Sequence, residues 1–269
     1  MMSQSELHSF APRARTAHKG DFGVVLVVGG AQGYGGAAIL SAEGAMRTGA
    51  GRVALATGAE SHVVASLSRM PEIMAQCVNS TTELIALIEK ATVLVVGPGL
   101  GLERWGVEMA REIFKSDLPK VVDADALNLI AMGRLTAPSK AVFTPHPGEA
   151  ARLLDTSVSE IEKDRRAAVC ELQKRLKGVV VLKGANTLVA GDSEIFTCQA
   201  GNPGMASAGM GDLLSGIIAA LMAQGFSAFE AAKLGVSLHA EAGDLAAADG
   251  ERGLIASDLL MYLKPLLNR

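Results

Sequence analysis

As far as Leu182, short aliphatic runs alternate along the chain with stretches of helical periodicity. Val24-Val-Leu-Val-Val28 reads as a buried strand, followed by a loop over Gly29 to Gly36. A helix is predicted from near Ala37 to Thr48, with Ile39, Leu40, Ala42 and Met46 at its apolar positions. Arg52–Ala56, Val93–Val96, Lys120–Asp123, Ala141–Thr144 and Val179–Leu182 read as further strands. Runs apolar at every position belong to a sheet covered on both faces, which predicts an α/β chain with a mainly parallel sheet and helical crossovers. After Gly201 the pattern becomes helical, over 209–224, 228–248 and 257–267. Residues 1–19 read as a polar N-terminal extension. No linker, repeat or composition break divides 20–269, so these residues are predicted to form one domain.

The predicted strands end in glycine or polar residues: Gly97-Pro-Gly-Leu-Gly101, Asp123-Ala-Asp125, Pro145-His-Pro-Gly148 and Lys183-Gly184. Ligands of open α/β sheets sit outside the carboxyl ends of the strands, so these segments point to one shared site. Gly29-Gly-Ala-Gln-Gly-Tyr-Gly-Gly36 carries more glycine than one turn needs, which favours contact with a ligand. It fails the strict dinucleotide spacing, and it has no Gly-Lys-Ser/Thr of a P-loop. Asp123 and Asp125 are open to two roles, holding Mg²⁺ through water or capping the next helix. For Asp125, directly before an apolar run, capping is the expectation. His146 is held between two prolines at a strand end, with Glu149 in the following first helical turn, and is a ligand candidate. Lys183-Gly-Ala-Asn-Thr187 is either a plain hairpin turn or a nucleotide contact. His239, inside a helix, is expected to be packed rather than catalytic.

Asn202-Pro-Gly-Met-Ala-Ser-Ala-Gly-Met-Gly-Asp212 leads straight into an apolar helix. Unpaired amides and the helix dipole make such a junction an anion site, and glycines let a phosphate approach closely. Asp212 would repel that phosphate. It either caps the helix or takes a proton from a hydroxyl that attacks phosphorus.

Composition narrows the setting. The chain has 269 residues, of which 49% are hydrophobic and only 4% aromatic, with 30 glycines, which suits aliphatic strands under closely packed helices. A net charge of −3 leaves no basic footprint, so no nucleic acid partner is expected. Cys77, Cys170 and Cys198 lack metal-type spacing and read as reduced thiols. With no apolar leader and no run long enough to span a bilayer, a cytoplasmic protein with no membrane partner is expected.

In order along the chain, these segments resemble the ADP-dependent (S)-NAD(P)H-hydrate dehydratases of the ribokinase-like superfamily. The likeness is carried by Gly20-Asp-Phe-Gly23, Gly29 through Gly51, Val96 to Gly101, Val122 to Asn128, Thr144 to Glu149, Lys183 to Thr187, Asn202 to Asp212 and Arg252 to Asp258. Each motif alone is weak, but the ordered set is specific and covers nearly the whole chain. The resemblance implies a ribokinase-like three-layer sandwich and repair of hydrated nicotinamide cofactor, NADHX or NADPHX, driven by ADP as co-substrate. It implies Asp212 as catalytic base and Ala37, Gly99, Gly101, His146 and Asp212 on the hydrate. It further implies Lys183, Gly184, Ala185, Asn186, Thr187 and Gly211 on the nucleotide. Mg²⁺ is expected to bridge the phosphates, with protein ligands unknown. A homotetramer is implied, as is the dehydratase alone, with a separate NAD(P)H-hydrate epimerase as functional partner. Many relatives carry Thr where Met210 stands, so one hydroxyl contact to phosphate is missing here. A ribokinase-like kinase acting on a thiazole or pyrimidine alcohol is the alternative.

Overall fold

The computed structural model describes Phe10 and residues 12–269, so most of the expected extension lies outside the described residues. The described part of it docks on the body. Phe10 meets Phe226 edge-on at 5.8 Å, and Arg13 stacks over Phe22 and donates to the Gly49 carbonyl at 2.7 Å.

The strands are β1 (Val24–Val28), β2 (Arg52–Thr57), β3 (Met74–Cys77), β4 (Val93–Val96), β5 (Lys120–Val122), β6 (Ala141–Phe143), β7 (Val179–Leu182), β8 (Leu188–Ala190) and β9 (Ile195–Thr197). Among the described residues they form one nine-stranded sheet in the order β3-β2-β1-β4-β5-β6-β7-β8-β9. From β3 to β7 every pairing is parallel, and β8 and β9 add an antiparallel edge. β1 and β4 are neighbours, so the strand order reverses between them. That is where an open α/β sheet leaves a crevice.

The helices are α1 (Gly35–Arg47), α2 (Glu60–Arg69), α3 (Thr81–Ile88), α4 (Arg104–Lys115), α5 (Ala124–Ala131), α6 (Pro147–Leu154), α7 (Val158–Lys163), α8 (Arg165–Leu176), α9 (Met210–Ala223), α10 (Ala228–Ala246) and α11 (Leu260–Leu266). Alternate strand residues supply two cores. Val25, Val27, Val53, Leu55 and Val95 face α1, α9, α10 and α11, while Leu26, Val28, Leu94, Val96 and Phe143 face α4, α5, α6 and α8. The result is the expected three-layer sandwich. Helix bounds shift only slightly from expectation: α1 begins at Gly35, and the segment expected at 257–267 is a 3₁₀ turn, Ala256–Leu259, leading into α11.

α1 and α9 pack closely because glycines face backbone at their crossing. A Cβ on Gly216 would run into the Ser41 carbonyl, and one on Gly44 would lie 2.7 Å from the Leu213 carbonyl. This contact fixes where α9 begins, at the carboxyl edge of the sheet.

Candidate active site

Two groups of predicted residues collect along that edge. The first lies at the crevice between β1 and β4, where the two glycine loops pair backbone to backbone. Gly30 N–H donates to the Pro98 carbonyl at 3.0 Å and Ala31 N–H to the Gly99 carbonyl at 2.6 Å. Gly99, at φ +58°, lies against the Tyr34 carbonyl, and a Cβ there would meet the Ala37 methyl at 3.3 Å. Ala37, Gly99 and Gly101 are therefore brought together.

The second group surrounds a cavity of about 820 Å³ outside β5, β6 and β7. His146, Lys183 through Thr187, Gly211 and Asp212 all line it, whereas Ala37, Gly99 and Gly101 do not. Asp125 joins the two groups, and its expected capping role is not what the structure shows. The N-cap of α5 is Asp123, and the Asp125 carboxylate accepts the Gly101 amide at 2.8 Å. The apolar run after Asp125 obscured this, because the helix starts one residue earlier.

Asp123 is the least exposed carboxylate of the site, at 1%, and both its oxygens are engaged. One accepts from the Lys183 ammonium at 2.8 Å and the other from the Ser215 hydroxyl at 2.6 Å. Lys183 is thereby pinned against the start of α9, where a Cβ on Gly211 would lie 2.9 Å from its Nζ. Gly211, having no Cβ, makes room for that ammonium. Burial alone pushes the Lys183 ammonium down, but Asp123 and then Glu149 outweigh it and leave it raised. The turn after Lys183 is both a hairpin turn, joining antiparallel β7 and β8, and part of the cavity wall. Arg165 holds it from behind, donating to the Leu182 and Lys183 carbonyls at 3.1 Å each.

His146 caps α6. Its Nδ1 accepts from the Gly148 and Glu149 amides at 3.0 and 3.3 Å, and the Glu149 carboxylate accepts the His146 amide at 2.8 Å. Pro147 at the first helical position suits this arrangement. With Nδ1 an acceptor, the neutral ring carries its proton on Nε2, 3.4 Å from Glu149. Burial, then the charge of Lys183, lowers the His146 pKa. Glu149 is buried, 4.0 Å from Lys183, and burial raises it to about 7.

Asp212 stands in the first turn of α9, two residues beyond Met210. Gly209, left-handed at φ +92°, is the N-cap. No hydrogen bond to the Asp212 carboxylate is found among the described residues, so a capping role is not seen. Burial, then the nearby charge of Asp123, raises it to about 6, against the pull of Lys183. A carboxylate short of partners and poised near neutrality beside unpaired helix amides is equipped to accept a proton.

Sequence reasoning missed Ser215 and the structural parts of Asp123 and Glu149. It also placed His239 simply in the core. His239 is buried on α10, yet it lines the cavity. The short interval between Asp123 and Asp125 and the place of Glu149 in the first helical turn after His146 carried a signal for the carboxylates, and nothing in the sequence marked Ser215. Among the described residues no three His, Cys, Asp or Glu side chains converge as a metal cluster, and no helix is long and apolar enough to cross a membrane.

A family model described as NAD(P)H-hydrate dehydratase matches residues 25–265. The bifunctional NAD(P)H-hydrate repair enzyme Nnr of Coxiella burnetii is 49% identical over 261 residues, which is 95% of this chain and 52% of the relative. The chain spans about half the length of such bifunctional relatives. The ADP-dependent (S)-NAD(P)H-hydrate dehydratase of Neisseria meningitidis is 40% identical over 272 residues, with 97% of this chain and 90% of the relative covered. Among solved structures, the ADP/ATP-dependent NAD(P)H-hydrate dehydratase of Bacillus subtilis, co-crystallised with ATP and Mg²⁺, superposes with a TM-score of 0.86 at 26% identity. That match covers 98% of this chain and 96% of the other. These matches do not favour the kinase alternative.

Proposed function

The chain belongs to the NAD(P)H-hydrate dehydratase family, and from that premise we propose that it dehydrates (6S)-NADHX and NADPHX with ADP, releasing AMP and phosphate. The observation that carries the proposal is the position of Asp212, between the Lys183–Thr187 cavity and, through Asp125, the Ala37–Gly99–Gly101 crevice. ADP would fill the cavity, with Lys183 through Thr187 and the Gly211 amide on its nucleotide. The hydrate would lie over the crevice, and its C6 hydroxyl would meet the terminal phosphate at Asp212, near His146.

The step follows from leaving-group chemistry. Hydroxide leaves C6 poorly, whereas a phosphate ester leaves readily. Asp212 takes the hydroxyl proton as the oxygen attacks the β-phosphorus, and the bond from that phosphorus to the bridging oxygen breaks, releasing AMP. Lys183 and the first amides of α9 stabilise the charge that builds on the phosphoryl oxygens. The lone pair of the ring nitrogen then expels phosphate from C6. A proton leaves C5, and the C5–C6 double bond returns.

Mg²⁺ fits the donor set. It favours oxygen ligands and keeps several waters, needing only one or two carboxylates beside phosphate. Glu149 would hold it, since its counter-charge on Lys183 is shared with Asp123. Bound there, the ion would neutralise phosphate charge.

Finer parts of the proposal have their own support. Exposed Val64 and Leu67 on α2 and Met74 on the edge strand β3 favour assembly into the expected homotetramer, which light scattering would check. An epimerase acting beside this enzyme in the cytoplasm would supply the reactive epimer. The decisive assay mixes protein, NADH hydrate and ADP or ATP and follows NADH absorbance. Recovery with ADP in preference to ATP is expected, and no recovery with either would overturn the proposal.

A further inference from the structure

The Gly30 carbonyl draws its donors from outside its own loop. It accepts from the Thr57 hydroxyl at 2.7 Å and the Gly58 amide at 3.0 Å, and Nδ1 of His62 lies 3.1 Å from it. The same Nδ1 is 2.9 Å from the Thr57 oxygen. These distances place the ring proton. A carbonyl oxygen can only accept, so an unprotonated Nδ1 would set its lone pair against it. Thr57 gives its hydrogen to Gly30, which leaves its own lone pairs toward the ring. Nδ1–H is therefore the donor, shared between the Gly30 and Thr57 oxygens.

Thr57 ends β2 and is fully buried, and His62 stands in the first turn of α2. Their target is one peptide group of the Gly29–Gly36 loop. Its carbonyl, on Gly30, is held from the β2 side, while its N–H, on Ala31, donates to the Gly99 carbonyl. The His62 ring also lies against the start of α1, where a Cβ on Gly35 would come within 2.5 Å of its Cγ and Cδ2. His62 thus braces both ends of the loop that leads from β1 to Ala37. So glycine-rich a loop samples many conformations when free, and ordering it on a ligand would weaken binding. Fixed in advance, it keeps Ala31 against Gly99 and Gly101, and Ala37 beside them.

We propose that His62 is a positioning residue for the hydrate: through Gly30 and Gly35 it holds the Gly29–Gly36 loop in the shape that receives the hydrated nicotinamide. The proposal rests on the reading that the hydrate lies over this crevice. His62 does not line the cavity assigned to ADP, so its effect falls on one substrate and not on the other.

The test is steady-state kinetics with NADH hydrate and ADP varied in turn. The proteins are the wild type, His62→Phe, His62→Asn, His62→Gln and Thr57→Val, each checked for a cooperative melt, so that one folded variant suffices. Phenylalanine keeps a ring against Gly35 but has no donor. The asparagine amide can place a donor where Nδ1 stands, whereas that of glutamine reaches the Nε2 position. His62→Phe should raise KM for the hydrate about tenfold, the usual cost of one lost hydrogen bond, and leave KM for ADP within about twofold. Thr57→Val should act in the same direction. His62→Asn should recover most of the loss, and His62→Gln should not. An unchanged hydrate KM in the folded variants would overturn the proposal. So would equal rises in both KM values, which a merely structural role predicts, and so would His62→Asn faring no better than His62→Gln. Those outcomes leave the proposed reaction standing, whereas a wild type that converts no hydrate with ADP or ATP would remove both readings.

Discussion

Asp212 shows how burial moves an ordinary carboxyl toward neutral pH, and what that does to stability. In the unfolded chain it titrates near its ordinary value, while in the fold it is raised to about 6. A carboxyl raised by folding favours the folded state in acid and penalises it once pH climbs through that value. Asp212→Asn should therefore raise the melting temperature at pH 8, removing a penalty of about 1–3 kcal/mol, and give no gain near pH 4. The same variant should lose about a hundredfold or more in turnover, because no base remains. A full-rate Asp212→Asn enzyme would exclude the proposed role. In the wild type, kcat/KM should rise with pH through about 6. Asp123→Asn should move that rise to lower pH, because it deletes a negative neighbour of Asp212 and releases Lys183 to approach it. A pH–rate profile of Asp123→Asn with an unmoved or higher acid limb would contradict this coupling.

Among the elements, the crossing of α1 and α9 decides where the loop that carries Gly209 to Asp212 sits. Alanine is favoured over glycine inside a helix by about 1 kcal/mol. At Gly216 the added methyl would meet the Ser41 carbonyl, a backbone atom that cannot rotate aside, and overpacking of that kind costs about 1–3 kcal/mol or more. Gly216→Ala should thus lower the denaturant midpoint and weaken ADP binding by displacing the start of α9, and an unchanged midpoint would show that the helices can part freely. That crossing was not legible in the sequence, where Gly216 is one glycine within an apolar run. The central strands were legible, because strands buried on both faces read as uninterrupted aliphatic residues. β3 was not, since Met74-Ala-Gln-Cys77 is an edge strand with half-exposed alternate positions, and β9 is only three residues long. Site residues at strand ends were readable from glycine and charge. Ser215 and His239 were hidden within helical patterns, and only tertiary packing turns them toward Asp123 and the cavity.

For the whole molecule, the cavity is where distant parts of the chain meet. Its wall takes Asp123 after β5, His146 after β6, Lys183 after β7, Gly211 on α9 and Val236 on α10. A ligand bound there must lose most of those contacts when the chain unfolds, so it should stabilise the molecule as a unit. At a hundredfold excess over Kd, ADP should add about 2.7 kcal/mol of stability. For a chain of this size that corresponds to a rise of roughly 5–10 °C in Tm. The rise should shrink for AMP and again for adenosine at equal concentration, because the proposed site holds phosphate with Lys183 and the unpaired amides of α9. In Asp123→Ala, where Lys183 loses the carboxylate that pins it, the difference between ADP and AMP should narrow most. Thermal melts of both proteins with the three ligands decide the matter. Equal shifts from adenosine and ADP in the wild type would mean that the start of α9 is not where the phosphates bind.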